Sequence, residues 1–277
     1  MESLRSQHAQ RLERWSQTPA TRLSAAAAAV PLIQRVGIAT LFPASPEVPN
    51  LYHAYMGDPT APTDSKWDSP SGEVYTWRWI LGRQRAAFYT ACVRGRPTWV
   101  SWEVLPAMLR VRGEMRTPDE LYDAGELSRG AYRVAQALEA AGGVLTTSTL
   151  REAAGFPKGT EQRAAFLKAV DELDNRLLLA KVFAHDDPDD LDMRHTLVAT
   201  RYPDHLHTAE QMAREDAMDQ LLATYLAQAV YALPVPLAKH LKLPEHELRA
   251  GLDRLVAADR ARPVAFAEHK GTCYCTV

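Results

Sequence analysis

From Ser128 onward the sequence passes twice through one order of elements, and this recurrence limits the fold more than any other feature of the chain. In the first pass Ser128 caps a helix predicted over Arg129–Ala140, which Gly142-Gly143 stops. Val144–Thr146 is extended, Thr149–Ala154 is a short helix ended by Gly155, and Thr160–Asn175 is a longer amphipathic helix. Its Phe166, Ala169, Val170 and Leu173 recur at helical spacing. Leu177–Ala184 and Thr196–Arg201 then read as two strands. In the second pass a helix over Ala209–Tyr231 precedes a short one at Val235–Leu241, where Pro234 and Pro236 are tolerated near the start. A longer helix at Glu245–Ala258 follows, and Val264–Phe266 and Cys273–Cys275 form a ribbon around Lys270-Gly271. No residue-level repeat accompanies the recurrence. A helix, a short helix, a longer helix and a ribbon is the order of a winged helix.

Upstream the same unit is harder to see. A polar stretch through Thr18-Pro19 reads as an arm or a docking helix. Ser24 is placed to cap a helix over Ala25–Arg35, and the prolines from Phe42 to Pro49 break it. A short helix spans Asn50–Met56, and Gly57–Gly72 reads as a loop. The spacing of Ile80, Leu81, Phe88 and Cys92 predicts a helix over Ile80–Cys92. A turn at Val93–Pro97, strand character at Thr98–Ser101 and a helix over Trp102–Leu109 follow. The expected class is mainly α with small β-ribbons: an arm at 1–22, then winged-helix-like units at 23–116, 117–202 and 203–277.

With 277 residues, 46% of them apolar and 24% charged, the chain has enough apolar surface for several cores. No apolar run approaches a membrane span, no signal peptide is read, and three cysteines make no disulfide framework. The expected location is therefore cytoplasmic, at the nucleoid. Net charge is only −2, but it is segregated. From Trp77 to Arg116 eight arginines face two glutamates, whereas the connection after His185 carries Asp186, Asp187, Asp189, Asp190 and Asp192. Arginine neutralises phosphate, and the interleaved Trp77, Trp79, Phe88 and Trp99 offer stacking surface. Arg78, Arg83, Arg85, Arg94 and Arg96 are therefore the first candidates for DNA contact. Lys158, Arg163 and Lys168 belong to the second unit's long helix, diluted by Glu161, Asp171 and Glu172 and followed by an acidic wing that repels phosphate. Lys239, Lys242 and Arg249, with His240, His246 and the wing residue Lys270, are the third unit's candidates.

Three segments carry a family likeness: Val36–Phe42, Trp99–Pro106 and Gly143–Leu150. Over about residues 22 to 277 the chain resembles the tandem winged-helix proteins of the AlkZ/YcaQ type. These are bacterial DNA glycosylases that unhook interstrand crosslinks and remove alkylated bases. The likeness is to a divergent, AlkZ-related branch with Leu-Phe-Pro, Thr-Trp-Arg-Trp and Leu-Pro segments. It implies three winged-helix units around a concave DNA-binding surface. Active members place a Gln-x-Gln or Gln-x-Asp pair just after the glycine matching Gly37, where it positions a water. Here those positions hold Thr40 and Phe42, and a phenyl ring cannot polarise water.

The expected partner is thus DNA, duplex or damaged, bound without catalysis, with no cofactor and no metal. One alternative is a glycosylase using a carboxylate such as Asp58, Asp64 or Asp68, and another is a protein-interaction scaffold or transcriptional regulator. The acidic loop lacks the glycine and terminal glutamate of a calcium loop. Cys273 and Cys275 with His269 are more simply half-buried strand residues than zinc ligands. His205 and His207 near Asp204 suggest an acid/base pair, but no nucleophile accompanies them.

Overall fold

The computed structural model describes residues 3–185, 187 and 189–277; Asp186 of the acidic connection lies outside them. The chain opens with α1 (Leu4–Arg14), capped by a reciprocal pair of bonds between Ser3 and Ser6. There follow α2 (Ala26–Val36), β1 (Ile38–Thr40), α3 (Leu51–Met56), α4 (Pro70–Arg83), β2 (Phe88–Val93) and β3 (Arg96–Val100). Two connecting helices, α5 (Leu105–Arg112) and α6 (Pro118–Asp123), lead to the next group. It comprises α7 (Arg129–Ala140), β4 (Leu145–Thr146), α8 (Thr147–Ala153), α9 (Thr160–Asn175), β5 (Leu179–Val182) and β6 (Arg194–Leu197). After α10 (Val198–Arg201) and α11 (Pro203–Gln211) come α12 (Arg214–Ala229), β7 (Tyr231–Ala232), α13 (Pro234–Leu241), α14 (Glu245–Ala257), β8 (Ala261–Val264) and β9 (Cys273–Thr276).

Each group runs helix, strand, helix, helix, strand, strand, and each closes a three-stranded antiparallel sheet with its last strand in the middle: β1-β3-β2, β4-β6-β5 and β7-β9-β8. The class is mainly α with small ribbons, as expected, and the group before Ser101 has the same order as the two that are legible in the sequence.

Local chemistry sets the element ends. Ser128 caps α7 by accepting from the Ala131 amide, and Thr117 and Glu120 form a capping box on α6. α2 begins one residue later than expected, and no side chain caps it. The largest correction concerns Ile80–Cys92, which is not one helix. α4 begins at Pro70, where Ser69 accepts from the Gly72 amide and the proline occupies the first turn. It ends before Arg85, which takes φ 50°. Phe88–Val93 is instead a strand, because its aromatic and β-branched residues pair along β3, Phe88 opposite Val100 and Tyr89 opposite Trp99. The expected helix over Trp102–Leu109 starts only at Leu105, with Pro106 in its first turn. The helix expected over Ala209–Tyr231 is two, broken between Gln211 and Arg214, and the strand Thr196–Arg201 turns helical after Leu197.

Two large cores hold the groups together. The first joins α2, β1 and α5 to α12 and α14, through residues such as Leu32, Ile33, Leu105, Met108, Leu221 and Leu222. The second belongs to residues 121–197 alone and centres on Leu138, Leu150, Phe166 and Leu173. α1 is fastened to the first core by Arg11, only 1% exposed. Its guanidinium donates to the Ala229 carbonyl at 2.8 Å and to the Tyr231 carbonyl, lies 3.5 Å from Glu47, and stacks over the Tyr231 ring. Among the described residues no helix is long and apolar enough to cross a membrane.

Candidate nucleic-acid interface

The first and second sheets meet edge-on, β2 against β5, and leave a cleft of about 630 Å³ between them. Strand alternation builds its floor. Tyr89 and Trp99, opposite each other across β2 and β3, face the same side, with ring centroids 4.4 Å apart. Phe183, just past β5, closes on Tyr89 at 5.7 Å. The mouth is made by Trp102, whose ring lies 5.3 Å from both Tyr202 and His205.

The charge on this lining is one-sided. Arg85, Lys181, Arg194, Arg201, His185 and His205 border the cleft, and no aspartate or glutamate among the described residues does. Two of these cations are already matched from behind. Lys181 holds Asp174 at 2.5 Å, and Arg194 pairs with Asp190. Burial raises the Asp174 pKa, and the adjacent Lys181 ammonium only partly offsets it. Arg85 and Arg201 are exposed and have no carboxylate partner among the described residues. Burial also raises the Tyr202 phenol, opposed by Arg201 and Arg85, so it stays a neutral hydrogen-bonding group. Arg85 is set at the mouth by its backbone: in the left-handed region, its carbonyl accepts from Trp102 Nε1 at 2.9 Å.

Beside the cleft the acidic connection lies along α4. Trp79 Nε1 donates to the Leu191 carbonyl at 2.8 Å, Arg83 donates to the Asp190 carbonyl at 2.9 Å, and His185 Nδ1 lies 2.8 Å from the Arg83 carbonyl. Backbone carbonyls make these anchors, which leaves Asp187, Asp189 and Asp192 exposed.

Of the basic residues singled out in the sequence, the cleft takes Arg85 alone. Arg78 is stacked on Tyr75 and Trp79, at 3.8 and 4.0 Å from the ring centroids. Arg94, at the β2–β3 turn, donates to the Ala44 carbonyl, with exposed Arg96 beside it. Lys158, Arg163 and Lys168 are exposed on the α8–α9 side of the second group, outside the cleft lining. Lys242 donates to Asn175 at 2.5 Å, Arg249 pairs with Glu245 at 2.8 Å, and Lys239 and Lys270 are exposed. Lys181, Arg194, Arg201, Trp102 and Tyr202 escape a reading by local charge density, because residues distant in sequence supply them singly. Arg194 and Arg201 stand next to the acidic run, which hides them in any windowed count.

Of the two residues that the resemblance sets against a catalytic pair, Thr40 is buried and Phe42 is partly buried. Thr40 is fully buried in β1, opposite Thr98, and its hydroxyl reaches the Pro49 carbonyl, at 3.5 Å. Phe42 packs on Tyr52, with ring centroids 5.7 Å apart. The alternative carboxylates serve their own loop. Asp58 accepts from Thr60, and Asp64 accepts from Ser69 and Lys66; these bonds hold both carboxyls below their usual pKa. Cys273 and Cys275 are buried in β9. Among the described residues no group of three or more His, Cys, Asp or Glu side chains is placed to hold a metal ion.

Comparison with known proteins bears on this geometry. A family model described as AlkZ related matches residues 23–242. Among solved structures, the DNA glycosylase AlkZ of Streptomyces sahachiroi aligns with a TM-score of 0.59 at 16% identity, covering 100% of this chain and 70% of that one. At that identity the likeness is one of fold. No curated protein matches by sequence. Because the family model spans well over half of its length, the chain belongs to the AlkZ-related family.

Proposed function

We propose that this chain binds DNA through the cleft between its first and second sheets and does not itself cleave the glycosidic bond. The observation that carries the proposal is the lining: cations and aromatic rings with no carboxylate among the described residues, in a chain whose overall charge is slightly negative. Phosphate neutralisation by arginine releases counterions, so such a surface binds DNA with an affinity set by salt. Membership of a family related to repair glycosylases supports DNA as the partner, and the damaged or duplex form belongs to the same proposal. The absence of catalysis rests on Thr40 and Phe42. Phe42 has no polar group to orient an attacking water, and the Thr40 hydroxyl is sealed in a sheet.

A titration of duplex DNA at several salt concentrations tests the binding. Dissociation constants of about 10⁻⁴ to 10⁻⁶ M at physiological salt are expected. Changing both Arg85 and Arg201 to alanine should flatten the slope of log affinity against log salt by about one unit per lost contact. An unchanged slope would assign the cleft to solvent. Counting abasic sites after incubation with alkylated DNA tests the catalysis, and release no greater than in buffer is expected. Excision that survives Thr40→Ala would place the chemistry elsewhere in the chain.

A further inference from the structure

We infer that the cleft receives a single unpaired nucleotide of DNA, its base against Trp102 and Tyr202 and its phosphate at Arg85 and Arg201. This rests on the DNA-binding reading and narrows it to a form of DNA. Three observations support it.

The helix that a winged-helix unit usually lays in a groove is not free in the first group. The acidic connection lies along α4, taking Trp79 and Arg83 as its anchors, and its exposed aspartates repel an approaching phosphate backbone. In the second group α9 alternates Arg163 and Lys168 with Glu161 and Asp171, which leaves it no net attraction for phosphate.

The space that remains has the size of a small ligand. A cleft of about 630 Å³ falls within the usual range for pockets that enclose one small molecule, so a double helix meets only its rim, where Arg85 and Arg201 lie. Its chemistry is that of a base-stacking platform. Trp102 and Tyr202 are partly exposed at the mouth, over a floor of Tyr89, Trp99 and Phe183. Trp99 is fully buried within this floor, and its Nε1–H has no acceptor among the described residues.

Stacking surface and charge are also tied together. The hydrogen bond from Trp102 to the Arg85 carbonyl fixes the arginine beside the ring, and Arg201 is the residue before Tyr202. Single-strand binding surfaces combine these two elements, and the stack tolerates any base because each has a π-face.

The test uses the full chain and oligonucleotides of one sequence: a perfect duplex, a duplex with one bulged 2-aminopurine, the single DNA strand carrying the same base, and the matching RNA strand. Affinity is read by anisotropy at fixed salt, and base environment by 2-aminopurine emission. The bulged duplex and the single DNA strand should bind at least about fivefold tighter than the perfect duplex, with quenched emission as the base stacks. Trp102→Ala and, separately, Tyr202→Ala should abolish the difference between bulged and paired DNA; the second variant guards against a folding defect in the first. Equal affinity for paired and bulged DNA with unchanged emission would overturn this inference and leave DNA binding standing. No salt-dependent binding to any DNA would overturn the binding reading itself, and this inference with it. Tighter binding of the RNA strand would overturn the assignment to DNA.

Discussion

His195 shows how much a single buried side chain commits this fold to. It lies in the middle strand β6 opposite Lys181, is 2% exposed, and its Nε2 shares a 2.9 Å hydrogen bond with the Thr147 hydroxyl. Burial, aided by the Lys181 charge, pushes its pKa down from 6.5 to about 3. The folded state therefore keeps it neutral where the unfolded chain takes up a proton. As pH falls from about 6.5 toward about 3, its contribution to stability is lost, by up to about 1.4 kcal/mol per pH unit. Asp174 acts in the opposite sense. Its raised pKa makes the folded state the better proton binder above 3.8, so its contribution is present at low pH and lost as pH rises through the folded value. A pH series of urea unfolding should thus show His195→Asn with a flatter acid limb than the parent. Identical limbs would mean that another group controls acid unfolding. The same neighbourhood contains the Lys181–Asp174 pair, where Asp174→Ala strands a cation that is nearly buried. A loss of about 3–5 kcal/mol in urea unfolding is expected.

At the scale of elements, α4 is seated against the second sheet at Gly82. A methyl group there would come within 2.1 Å of the Phe183 ring. Alanine improves helix propensity by about 1 kcal/mol over glycine. The clash outweighs that gain, because the ring is wedged against Tyr89 and forced overpacking costs about 1–3 kcal/mol. Gly82→Ala should lower the urea midpoint, and a raised midpoint would show that the ring moves freely. The same helix illustrates what the sequence made legible. α7 and α9 were readable to the residue because a serine cap, glycine stops and a clear apolar stripe agreed. Around Ile80 the signals conflicted: an apolar spacing compatible with a helix ran through a Phe-Tyr-Thr segment whose partner strand lies across a turn. That partner is only the two-residue Arg94-Gly95 turn away, so the hairpin lay within a local window and the helical spacing masked it. The cleft was illegible because its residues are distant in sequence. Arg85 stood out as part of an arginine run, whereas Lys181, Arg201 and Tyr202 acquire meaning only when β5 and α10 come to face β2.

At the scale of the molecule, the first and third groups are joined while the second keeps its own core. Hydrogen exchange should accordingly give α2, α5, α12 and α14 one common opening free energy and residues 129–175 a different one. One shared value for all of them would mean a single cooperative unit. The staple at Arg11 belongs to the joined part. Arg11→Ala leaves Glu47 buried with the Tyr225 hydroxyl, 3.2 Å away, as its hydrogen-bond partner among the described residues, and should cost about 3–5 kcal/mol. Arg11→Met combined with Glu47→Leu should recover most of that loss, because an apolar pair leaves no stranded charge. Urea unfolding of the single and double variants checks both statements.

The shared core also sets an order of assembly at the ribosome. α2 and α5 leave the exit tunnel early, but their packing partner α12 follows only after roughly 100 further residues, a delay of about 5–20 s at ordinary elongation rates. The second group needs no later segment for its core and is complete within that interval. The second group is thus expected to close before the first, with the apolar faces of α2 and α5 open until α12 arrives.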